Sequence, residues 1–147
     1  MSLADLSAKF EVVKKQMMDE ATLAINEEFK KVFELYPELT VVKWKQYTPY
    51  FNDGEECTFS VGDFCISNAA DPELVTSYGE YEGDENDGTF VFEGSWDGDA
   101  KKYAAVWELS KFSSTDIGEE VFRSAFGNHV QVTVTNAGID VSEYEHD

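Results

Sequence analysis

The sequence predicts an α+β fold: a long N-terminal helix packed on an antiparallel sheet, with one or two helices before a C-terminal β-hairpin. Three observations predict it. Apolar residues recur at spacings of three and four from Leu3 to Phe33, short alternating segments follow between Thr40 and Ile66, and valines alternate with polar residues from Val130 to Val141. At 147 residues the chain reads as a single acidic α+β domain over 1–147, large enough to bury a core without metal or disulfide staples.

Residues 3 to 35 read as one helix. Leu3, Leu6, Phe10, Val13 and Met17 begin a stripe that Ala21, Ala24, Ile25, Phe29, Val32 and Phe33 continue. Lys14, Lys15, Lys30 and Lys31 lie largely off it, mixed with acids, so the expected use is packing on a sheet rather than membrane binding. Pro37 ends the segment because proline disfavours helix at the residue before it. Thr40 to Tyr47 has the β-branched and aromatic content of a strand, and Thr48 to Gly54 reads as a loop with a tight Asn-Asp-Gly turn. Cys57 to Val61 alternates, and Phe64-Cys65-Ile66 is expected to return as its hairpin partner across Gly62-Asp63.

Asn68 to Val75 reads as loop with one helical turn, Thr89 to Phe92 as a short strand, and Asp97-Gly98-Asp99 as a turn. Ala100 to Phe112 fits both periods, and its alanine and lysine content favours helix. Ser114 or Thr115 then caps a helix through Val121, Phe122 and Phe126, stopped by Gly127. In the terminal hairpin, Val134 opposite Ile139 and Val132 opposite Val141 put the apolar side chains on one face. A one-residue slip would set Val134 against Asp140.

Charge is the other strong signal. Between Gln46 and Ala100 there are fourteen carboxylates and no lysine or arginine, so that stretch carries −14 of the net −19 while residues 1–45 carry −1. Such a field repels nucleic acid and anionic membrane and attracts cationic surfaces. A single arginine, Arg123, beside ten lysines also argues against phosphate recognition. With 42% hydrophobic and 14% aromatic residues, the chain is nonetheless a folding sequence rather than a solvating tail.

Signatures of catalysis are missing from the sequence: no G-x-S-x-G elbow, Walker loop, G-x-G-x-x-G after a strand, or H-E-x-x-H. Asp84-Glu85-Asn86-Asp87-Gly88 evokes a calcium loop, but setting Gly88 at the sixth position puts Gly83 at the first and Gly94 at the twelfth, so the EF-hand frame fails. Cys57 and Cys65 read as small core residues rather than a disulfide. The hairpin register brings His129 opposite Tyr144, with His146 just beyond, which makes His129 and His146 the candidate ligands for a transition metal. A polar hairpin end is the plainer account, and no cofactor is expected.

Nucleic-acid binding needs aromatics interleaved with basic residues. Here Tyr78, Tyr81, Phe90, Phe92 and Trp96 are interleaved with acids. The inversion suggests mimicry: at one charge per roughly 1.7 Å, fourteen carboxylates in a row would imitate about 24 Å of duplex. Glu80, Glu82, Asp84, Glu85, Asp87, Asp97 and Asp99 would supply the field, and Tyr81 and Trp96 the contact area, against a basic protein surface.

Two segments, Trp44 to Gly54 and Phe126 to Val134, together with Glu143-Tyr144-Glu145-His146-Asp147, resemble small acidic proteins of unassigned function encoded by tailed bacteriophages. The matching strings cover about a quarter of the chain and carry over no site residues. The resemblance implies a phage context, and hence a host nucleic-acid enzyme as the basic partner. The expected location is the cytoplasm, that of the host cell, since no signal peptide or apolar run near about 18 residues is present. Three other readings compete with the inhibitor. They are an assembly protein or an oligomeric accessory protein, with salt-tolerant contacts through its first helix; a small metal-dependent enzyme; and adaptation to high salt, which the balanced first 45 residues oppose.

Overall fold

A computed structural model describes residues 2–49, 58–76, 80–83, 89–93 and 102–144. The Asn-Asp-Gly turn, Cys57, the Asp97-Gly98-Asp99 turn and His146 lie outside these residues.

Helix α1 spans Leu3–Leu35, as its periodicity predicts. It is started by a capping box: Ser2 Oγ accepts from Asp5 N at 3.1 Å, and Asp5 Oδ2 accepts from Ser2 N at 3.3 Å. Strand β1, Val41–Tyr47, follows. The segments β2, Ser60–Val61, and β3, Cys65–Ser67, come next, then a 3-10 turn at Pro72–Leu74 and strand β4, Val91–Glu93. Helices α2, Ala104–Ser113, and α3, Asp116–Phe126, precede β5, Val130–Thr135, and β6, Gly138–Glu143. Thr115 caps α3, its Oγ1 accepting from Gly118 N at 3.0 Å, and the ambiguous segment before it is helical.

The sheet is antiparallel in the order β4-β3-β1-β5-β6, with β2 also paired to β1. Here one expectation fails. β2 does not pair with the segment following Gly62-Asp63; both pair with β1 along the same edge. Gln46 faces Val61 and Lys43 faces Cys65, so three steps along β1 match four along its neighbour. Gly62 and Asp63 therefore sit in a β-bulge, not a turn. Gly62 N donates to Lys45 O at 2.8 Å, and a Cβ on Gly62 would stand 2.8 Å from that oxygen. Glycine there permits the close approach that keeps the strand on course.

The terminal hairpin has the expected register, Val134 opposite Ile139 and Val132 opposite Val141. All three helices cover one face of the sheet. Ile25, Phe29, Val32 and Phe33 of α1, Val106 and Leu109 of α2, and Val121 and Phe122 of α3 meet Val42, Trp44, Phe64, Ile66, Val132 and Val134 in one core. Trp44 is its centre, stacked on Phe64 at 4.5 Å and Phe29 at 5.4 Å.

Buried polar groups are tied into this core. Gln46 Oε1 accepts from Trp44 Nε1 at 2.9 Å, while Gln46 Nε2 donates to Phe122 O at 3.0 Å and Gly127 O at 2.7 Å. One side chain thus locks β1 to the end of α3. On the opposite face, Val41, Cys65, Ala69 and Val75 form a smaller cluster. Beside it Lys43 is buried and donates to Val75 O at 2.7 Å and Pro72 O at 3.2 Å.

Candidate protein-interaction site

Helix α1 has two apolar faces, and only one of them builds the core. Every residue from Ser2 to Met17 is exposed. Leu3 is 85% exposed, Leu6 54%, Phe10 66%, Val13 44% and Met17 63%. Their 3-4-3-4 spacing is the a/d seam of a heptad. At about 100° per residue, this seam lies roughly a quarter of a turn around the helix from the face that carries Met18, Ile25, Phe29 and Val32 inward. Where the core-facing line runs on toward the N-terminus it meets Ser7, Glu11, Lys14 and Lys15, all polar. The seam is thus a separate surface rather than core residues left uncovered. The single packed stripe expected from sequence holds only from Met18 onward, because the apolar positions step by about a quarter turn after Met17.

The seam leads toward an apolar cleft of about 420 Å³ between α1 and α2. Ala21, Ala24, Ile25 and Glu28 line one wall, and Ala105, Glu108, Leu109 and Phe112 the other. The alanines keep this wall low. Together, seam and cleft give a continuous apolar track along one side of α1, which is the geometry that accepts another helix.

The acidic residues selected from sequence are only partly described. Thr76 N donates to Glu80 O at 2.8 Å and Glu82 N to Leu74 O at 2.7 Å, so residues 74–76 and 80–82 form a short ribbon. Alternation along it exposes Glu80 and Glu82 and turns Tyr81, half-buried, against the small cluster of Val41 and Val75. Asp84, Glu85, Asp87, Trp96, Asp97 and Asp99 lie outside the described residues.

His129 stands at the turn from α3 into β5 with φ 57°, next to Gly127 at φ 103°. Its carbonyl accepts from Tyr144 N at 2.8 Å, which sets His129 opposite Tyr144 as the register requires. Its proposed companion His146 lies outside the described residues. Among the described residues no group of three or more His, Cys, Asp or Glu could hold a metal ion. Lys43 is the one buried cation among the described residues. Burial lowers its pKa, opposed by the charges of Cys65, Glu73, Glu82 and Asp140, and its partners are backbone carbonyls, as befits a structural group.

No family model, curated protein or solved structure matches the chain. Among the described residues no helix is long and apolar enough to cross a membrane.

Proposed function

We infer that the chain is a non-catalytic protein-binding module whose working surface is the apolar seam of α1. One observation carries this reading: five large apolar side chains are exposed in heptad register on a face distinct from the one that folds the protein. The rest of the molecule supports the helix. The C-terminal half of α1 is locked into the core through Phe29 and Val32, so the N-terminal half is presented as a preformed element and loses little freedom on binding. An assembly or accessory role fits this arrangement.

Charge favours a second reading, a phage-encoded nucleic-acid mimic in the cationic groove of a host nucleic-acid enzyme. Its support is the cation-free segment of fourteen acids, together with the exposure of Glu80 and Glu82. The two readings separate by salt and by position. A tagged chain is used to capture proteins from nuclease-treated bacterial lysate. Seam binding survives about 1 M salt, where the Debye length is roughly 3 Å, and is lost in Phe10→Glu. Mimicry is released by moderate salt and is lost in Glu80→Lys/Glu82→Lys. Capture that is indifferent to Phe10→Glu would rule out the seam.

A further inference from the structure

We propose that the seam of α1 is covered by the same seam of a second copy, with the two helices antiparallel. This rests on the reading of the seam as an interaction surface and names its partner.

The seam is its own complement. With residue numbers of facing positions summing to about 23, Phe10 of one helix meets Val13 of the other and Leu6 meets Met17. Large is then set against small or flexible at each layer. Leu3 reaches the level of Glu20 and Ala21, at the mouth of the cleft whose walls are Ala24, Leu109 and Phe112. Each copy thus sets its Leu3 against the mouth of the other's cleft.

Charge selects the orientation. In a parallel pair the flanking g and e positions would set Lys9 of each helix against Lys14 of the other, two like-charge contacts. Antiparallel helices set Lys9 against Gln16 and Lys14 against Ser7 instead. A parallel pair would also bring two strongly acidic bodies side by side, since nearly all of the net −19 lies beyond Lys45. An antiparallel pair holds them at opposite ends of an overlap about 27 Å long, well beyond the roughly 8 Å Debye length of physiological salt. Two strips of that length and about 10–12 Å width bury on the order of 540–650 Å² in total, below the size of a standard specific interface and in the range of weak, transient contacts. The dimer is therefore weak and forms only at high protein concentration.

The test is sedimentation of the full chain at 1 and 100 µM, in 0.15 and 1 M salt. The expected result is a monomer at the low concentration, a dimer at the high one in both salts, and a monomer throughout for Phe10→Glu with an unchanged melting temperature. Orientation is read by disulfide trapping in a Cys57→Ser background. Leu6→Cys mixed with Met17→Cys should give the mixed pair, while Leu6→Cys linked to itself would overturn the antiparallel arrangement. A wild-type chain that stays monomeric at 100 µM overturns the second copy as partner. In that case lysate capture decides the underlying reading: capture lost in Phe10→Glu leaves the seam binding a different protein, and capture unaffected removes the seam as well.

Discussion

Two phenylalanines on one helix should respond oppositely to the same truncation. Phe29 is 1% exposed and packs on Trp44 and Phe64, with ring centroids at 5.4 Å and 6.1 Å. Phe29→Ala removes a buried aromatic from the centre of the core and should cost about 3–5 kcal/mol. At about 2–4 °C per kcal/mol for a domain of this size, the melting temperature falls by roughly 6–20 °C. Phe10 is 66% exposed and lies on the seam, so Phe10→Ala removes no core contact. Alanine is also the better helix former by about 0.5 kcal/mol, and the monomer should therefore be unchanged or slightly more stable. The assay is urea denaturation followed by circular dichroism at 1 µM, where the chain is monomeric, and again at 100 µM. Wild-type stability should rise with concentration by mass action, and Phe10→Ala should abolish that rise. A loss above about 1 kcal/mol for Phe10→Ala at 1 µM would refute the separation of the two faces, because the seam would then belong to the fold.

Two further perturbations test the framework that presents the helix. Gln46→Leu preserves bulk but leaves the buried Trp44 indole N–H and the Gly127 carbonyl without their partner. At about 1–3 kcal/mol for each orphaned group, a loss of roughly 2–6 kcal/mol is expected in chemical denaturation; a change under about 0.5 kcal/mol would mean that water replaces Gln46. Burial lowers the pKa of Lys43 and raises that of Tyr103. Between the depressed Lys43 value and its ordinary 10.5 the unfolded chain binds more protons, so stability rises with pH there, whereas above about pH 10 the folded Tyr103 keeps its proton longer and stability falls. Lys43→Met should remove the rising contribution and leave only the fall; identical pH profiles for variant and wild type would show that Lys43 does not titrate with folding.

Most elements were legible because their determinants are local. The helix from Leu3 to Leu35, the Thr115 cap, the Gly127 stop and the register of Val130–Thr135 on Gly138–Glu143 follow from periodicity and capping within each segment. Gly62-Asp63 is ambiguous because a Gly-Asp pair between alternating segments signals a turn and a bulge alike. The distinction lies in which strand they face, and that strand, Val41–Tyr47, is distant in sequence. Every residue of the candidate site is likewise visible, yet the periodicity alone predicts that Leu3, Leu6, Phe10, Val13 and Met17 pack on the sheet. The available signal is a quarter-turn step in the apolar positions after Met17, and it spans too few turns to stand out without knowledge of what the helix packs against.

By itself the sequence determined the element types, the hairpin register and the concentration of negative charge, since propensity, alternation and residue counts depend on neighbours along the chain. Tertiary structure alone decided which face of α1 is covered, that Gly62 continues a strand, and that Gln46 and Lys43 are buried among backbone carbonyls. Burial is a property of elements distant in sequence, and a helix that is apolar on two sides does not carry in its own residues which side the sheet will occupy.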